Sequence, residues 1–134
     1  MKNNLSFHYK VMELSANKRA VPEITSEALF EIINNIYLKR HEALCEGIGL
    51  RSNKRGLERS LYRSIFAYWI RYNKCPLIKS IPILRDGDIA RIMGKNRTAI
   101  IFGVRLISSK KRYNDAEVNA IEGYILKELP KYIS

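Results

Sequence analysis

Apolar positions recur along this chain with two different periods. Near the start, Leu5, Phe7, Tyr9 and Val11 alternate with polar or mixed residues, a period of two that predicts an extended, strand-like segment. A single strand forms no stable sheet alone. Residues 1–24 therefore read as an N-terminal arm, a hairpin half or a dimer contact, with a loop over 15–22, and residues 25–134 read as one domain. From there the period becomes helical. Leu29, Ile32, Ile33, Ile36, Tyr37 and Leu44 share one face of a helix predicted over 26–46, with Thr25 or Ser26 as its cap and Gly47 as its end. A basic loop follows over 47–56, holding Arg51, Lys54 and Arg55.

A second helix is predicted over 57–73. Leu57, Leu61, Ile65, Tyr68, Trp69 and Tyr72 form its stripe, and Arg59, Arg63 and Arg71 lie off the stripe's centre. Pro76 and Pro82 prevent one regular helix over 74–85. Asp86 or Asp88 is placed to cap a short helix through Ile89 to Met93, and Gly94 supplies the left-handed backbone of a sharp turn. Asn96 then caps a helix from Arg97 to about Lys110, with Ile100, Val104 and Ile107 as its apolar face. A last helix over 115–129 presents Val118, Ile121, Ile125 and Leu129, with Asp115 near its start. The expected fold is an all-α, multi-helix bundle with a short extended arm.

Charge narrows the function. The 134 residues carry 24 Lys and Arg against 13 Asp and Glu, a net charge of +11. Such an excess favours polyanions, because a cationic surface releases the counterions condensed on DNA or RNA; an anionic membrane surface attracts the same charge. No run approaches the ~20 apolar residues of a membrane span, and no signal-peptide pattern opens the chain. Cys45 and Cys75 form no CxxC pair and read as reduced thiols of a cytoplasmic protein. His8 and His41 have no metal-binding or nucleophilic companions in sequence, and no HExxH occurs. Neither an enzyme, nor a cofactor or metal, nor a small-molecule substrate is expected.

The short helix, glycine turn and second amphipathic helix over 86–110 form the pattern of a helix-turn-helix, whose second helix meets base edges with its first residues. Here those residues are Lys95, Asn96, Arg97, Thr98 and Ala99. Arg pairs with guanine O6 and N7, Asn with adenine N6 and N7, and Thr or Ala methyls meet thymine methyls. Many helical hairpins with such a turn are packing devices only. The polar start of the second helix, the charge and the basic loop favour duplex DNA as the partner. RNA ranks lower, since a recognition helix cannot enter the narrow A-form major groove.

Two blocks add a family likeness. Arg63-Ser64-Ile65-Phe66-Ala67-Tyr68-Trp69-Ile70-Arg71 looks like RQIAMYLAR, and Asp88-Ile89-Ala90-Arg91-Ile92-Met93-Gly94-Lys95-Asn96-Arg97-Thr98-Ala99-Ile100 looks like EIG-x-x-FG-x-RDHTTV. Ile101-Phe102-Gly103-Val104-Arg105-Leu106-Ile107 then follows LHACRKI. These blocks belong to the C-terminal DNA-binding domain of the bacterial replication initiator DnaA, which residues 25–129 resemble. The resemblance implies that Arg55 enters a minor groove, that Arg63 holds a phosphate, and that Lys95 and Thr98 take the places of the Arg and first Thr of RDHTTV. A narrow minor groove favours an inserted arginine, and a guanidinium suits phosphate oxygens. The chain departs from the pattern where Asn96 replaces Asp, Arg97 replaces His and Ala99 replaces the second Thr. Its turn is one residue shorter and its 74–85 segment longer. These changes predict a base preference different from the initiator's usual box. No GxxxxGK[ST] is present, so the likeness implies a reading head without ATPase activity, acting in replication control or transcription regulation. A homodimer or a protein partner would extend the short site one head can cover. The rival reading is a helical interaction adaptor of a phage or mobile element, with only non-specific affinity for nucleic acid.

Overall fold

The computed structural model describes residues 24–41, 48–54 and 56–133. Most of the expected arm, the end of the first predicted helix, Arg55, Cys45 and His8 lie outside these residues. The described part is all-α. Five α-helices follow in order: α1 (Ser26–Arg40), α2 (Leu57–Tyr72), α3 (Asp86–Met93), α4 (Arg97–Arg112) and α5 (Ala116–Glu128), with a 3-10 turn over Leu129–Tyr132.

Local chemistry sets most of the boundaries. Thr25 caps α1 by accepting from the Ala28 N–H at 3.0 Å. Asp115 caps α5 through the Val118 N–H at 2.9 Å, and this bond, with Lys110 nearby, holds its carboxyl below the usual carboxylate range. The start of α3 corrects the sequence reading. Its N-cap is Arg85, whose carbonyl accepts from the Asp88 and Ile89 N–H groups, and no side chain caps it. Asp86 and Asp88 fall inside the first turn, where their charge complements the positive end of the helix. Asn73 ends α2 in a left-handed conformation, φ 54°, which asparagine tolerates.

The core is built around α2. Leu61, Ile65, Phe66, Trp69 and Ile70 are buried, and α1 covers them with Leu29, Phe30, Ile32, Ile33 and Ile36. Phe30 and Phe66 meet edge to face, with centroids 5.1 Å apart. Ile100, Val104 and Ile107 of α4 and Val118, Ile121 and Ile125 of α5 complete the cluster. Burying each such side chain contributes about 1.5–3 kcal/mol. Tyr72 departs from the expected stripe and is 45% exposed. Arg59 departs the other way: it is buried, because its guanidinium finds the Lys54 carbonyl at 2.8 Å. Cys75 is buried and free, and burial pushes its thiol pKa up, which keeps it unreactive. No helix among the described residues is long and apolar enough to cross a membrane.

Where α2 and α4 cross, Gly103 faces Ser64. A Cβ on Gly103 would lie 2.6 Å from the Ser64 Oγ and 3.3 Å from its Cβ. Gly103→Ala is therefore expected to lose about 1–2 kcal/mol by crowding, despite the better helix propensity of alanine. In a Ser64→Ala background the same substitution should be neutral or stabilising. Urea unfolding of the four proteins measures this coupling; equal effects of Gly103→Ala in both backgrounds would mean that the contact does not limit the helix spacing.

Candidate nucleic-acid interface

A three-residue turn, Gly94 to Asn96, joins α3 to α4. Gly94 takes φ 68°, and the Lys95 N–H reaches back to the Ala90 carbonyl at 3.0 Å, closing the end of α3. Positive φ at this point strains any residue with a Cβ, which is why glycine serves here. Asn96 starts α4: its side chain accepts from the Ala99 N–H at 2.8 Å. That bond engages the Asn96 oxygen as a cap.

Beyond the cap, Arg97, Thr98 and Ala99 are exposed in the first turn. At 100° per residue, Thr98, Phe102, Arg105, Ser109 and Arg112 lie on one outward stripe, opposite Ile100, Val104 and Ile107. All five stripe residues are exposed. The sixteen residues of α4 carry Arg97, Arg105, Lys110, Lys111 and Arg112 and no acid. Two of these cations are held internally, Lys110 by Asp115 at 3.3 Å and Lys111 by Glu122 at 2.6 Å. The first turn of α3, by contrast, has two aspartates. Helix N-termini favour negative charge; α4 brings no acid of its own to its first turn, and the acids that share a groove with Arg97 are Asp86 and Asp88 of α3.

The expected cations of the basic loop prove to be structural members as well. Lys95 Nζ donates to the Arg51 carbonyl (3.1 Å), the Ser52 carbonyl (3.0 Å) and the Asn53 Oδ1 (2.6 Å). Arg63 donates to the Leu50 carbonyl at 3.0 Å. Arg51 donates through two nitrogens to the Ile92 carbonyl at 3.3 and 2.9 Å, pairs with Glu31 at 2.7 Å, and lies over the Phe30 ring. The loop is thus fastened to the end of α3 and the α3–α4 turn by carbonyl contacts of Arg51 and Lys95, and to α2 by those of Arg59 and Arg63. Burial, followed by repulsion from Arg63 and Arg59, holds the Lys95 pKa below the usual lysine value. Burial, then Arg59, does the same to Arg63. A cluster of like charges with lowered pKa values is a place where an added anion relieves repulsion.

The structure therefore brings Arg51 and Lys95 together, with Arg63 and Ala99 lining the groove beside Lys95 and Lys54 on the same loop; Asn96 and Thr98 stand at the start of α4, and Arg97 lies apart, lining a groove with Arg71, Asp86, Asp88 and Arg91. Lys54, Arg97, Thr98 and Ala99 are exposed; Arg63 is half-buried and held by a carbonyl, so its expected role as a phosphate clamp requires its remaining donors. Arg55 lies outside the described residues. His41 stacks against Tyr37 with centroids 4.7 Å apart and lies 2.5 Å from the Glu58 carboxylate. Phe102, 63% exposed, and Arg105 were absent from the residues singled out in sequence; an aromatic residue on the polar stripe of an amphipathic helix is the signal for them. Comparison of the chain with models of protein families, with curated proteins and with solved structures gives no match.

Proposed function

We propose that this chain is a sequence-specific, double-stranded-DNA-binding protein in which α3 and α4 act as a helix-turn-helix and α4 lies in the major groove. The observation that carries the reading is the outward stripe of α4, which starts with Thr98, continues through Arg105 to Arg112 and, like the whole helix, contains no acid; Arg97 precedes it, exposed in the first turn. An α-helix fits the width of the B-form major groove, and its first residues reach base edges. The fastened loop would set Lys54 against the backbone beside it. The likeness to the DnaA reading domain supports the same placement and suggests replication control or transcription regulation, in the cytoplasm and without catalysis. With Asn96 engaged as a cap, Arg97 is the foremost base reader, which favours guanine rather than the initiator's box.

Selection of duplexes from a random library tests the reading. Enrichment of one motif containing a guanine read by Arg97 is expected. Arg97→Ala should then lose discrimination at one base pair by about 1–3 kcal/mol, whereas Lys54→Ala should weaken all sequences alike. Recovery of the usual initiator box would refute the altered base preference, and no enrichment above random sequence would refute sequence-specific binding.

A further inference from the structure

We propose that Phe102 is a thymine reader: its ring meets the C5-methyl of a thymine in the major groove, alongside the methyl group of Thr98. This rests on the DNA-binding reading above and names a specificity residue for it. Three observations lead there. First, Phe102 is 63% exposed in the middle of a stripe otherwise made of Thr98, Arg105, Ser109 and Arg112. A large aromatic side chain in that setting has no part in the core, which α4 reaches through Ile100, Val104 and Ile107.

Second, its position is fixed. Gly103 abuts Ser64 and Val104 is buried, so the backbone carrying Phe102 can neither rotate nor retreat toward α2 without a clash. A reader needs this stiffness, since a contact worth a single methyl group is lost by a small displacement. Third, the charge around it selects the partner. Arg105 follows Phe102 on the same exposed stripe, and Arg63 and Lys95 line the groove beside the ring together with Ala67, Met93 and Gly103. An apolar ring among cations complements a polyanion that displays methyl groups. Of the base edges in the major groove, only thymine displays a methyl, and apolar side chains are its readers. Thr98 and Phe102 are four residues apart, about 6 Å along the helix. That is close to two base steps of about 3.4 Å, so the two side chains address thymines about two base pairs apart.

The test uses the full chain and the duplex enriched from a random library. Each deoxythymidine is replaced in turn by deoxyuridine, which removes the methyl group and leaves every hydrogen bond in place. One position is expected to lose about 3–10-fold in affinity, in line with about 0.8 kcal/mol or somewhat more for a buried methyl-sized group. Phe102→Ala should lose a similar factor on the thymine duplex and bind the uracil duplex no more weakly than the unaltered chain does. The uracil arm on the unaltered chain needs no variant, and circular dichroism of Phe102→Ala checks its fold. A thymine-to-uracil ratio unchanged by Phe102→Ala would overturn the proposal while leaving DNA binding intact. If Phe102→Ala instead converts a dimer to a monomer in sedimentation, the ring is a contact between copies and the proposal falls. Failure of the unaltered chain to bind any duplex at low salt would overturn both readings.

Discussion

Trp69→Ala is expected to lower stability by about 3–5 kcal/mol, the range for truncating a large aromatic core residue. Trp69 is 1% exposed toward the C-terminal end of α2. Its indole does more than fill space. The Nε1–H donates to one oxygen of Glu122 at 2.6 Å, and Lys111 Nζ holds the other oxygen at 2.6 Å. Glu122 is itself buried on α5. The three side chains join α2, α4 and α5 through a carboxylate that has a donor on each oxygen. Alanine removes the ring and one of those donors, leaving a cavity beside a charge with half its partners.

Two further variants separate the terms. Trp69→Phe keeps most of the volume and deletes the donor, so a loss of about 1.5–3 kcal/mol is expected for a hydrogen bond to a charged group. Lys111→Met removes the cation; its side chain is 29% exposed, so the loss should fall below the ~3–5 kcal/mol of a fully buried pair. Urea unfolding followed by circular dichroism reads all three. With a slope of about 1–2 kcal/mol per molar, Trp69→Ala should move the midpoint down by at least about 1.5 M. A total stability of about 5–15 kcal/mol is usual for such domains, so this one change can remove a large share of it. A midpoint for Trp69→Phe equal to that of the unaltered chain would show that the Glu122 contact contributes nothing.

The helices were readable because their causes are local. Apolar spacing locates α2 and α4; Asn96 announces its cap, the choice between Thr25 and Ser26 falls on Thr25, and Asp115, expected only near the start of α5, is its cap. The N-cap of α3 lies one residue before Asp86 and three before Asp88, the two expected caps, because any of several residues there can take the extended conformation of an N-cap, and Arg85 does so with no side-chain bond. The candidate site divides along the same line. Exposure of Thr98 and Ala99 follows from helical phase, and that of Arg97 from its place at the helix end. The engagement of Arg51 by Ile92 and of Lys95 by Ser52 does not, since those partners are 41 and 43 residues apart. A basic residue in sequence reports a charge; only the fold reports whether a carbonyl already holds it. Phe102 was readable in principle, lying about 160° from Ile100 on α4, but attention to the apolar stripe passes over an apolar residue outside it.

Those fastened cations set the second large expectation, a steep dependence of duplex affinity on salt. Lys54, Lys95, Arg97, Arg105 and Arg63 stand within reach of about five phosphates if α4 enters the groove. The slope of log affinity against log salt is then about −4 to −5. Between 50 and 200 mM salt, affinity should fall by several hundred-fold. Two substitutions with the same change in charge should behave differently. Lys54 is exposed and its side chain has no bonded partner among the described residues, so Lys54→Ala should flatten the slope by about 1 and do little else. Lys95 also ties the carbonyls of Arg51 and Ser52 to the α3–α4 turn. Lys95→Met should flatten the slope by a similar amount and, in addition, weaken binding at every salt concentration, because the loop that carries Lys54 loses its anchor. Fluorescence anisotropy with one duplex, titrated across salt, reads both quantities. Parallel lines for the two variants would mean that the loop holds its place without Lys95, and a slope near zero for the unaltered chain would remove phosphate contact from the account altogether.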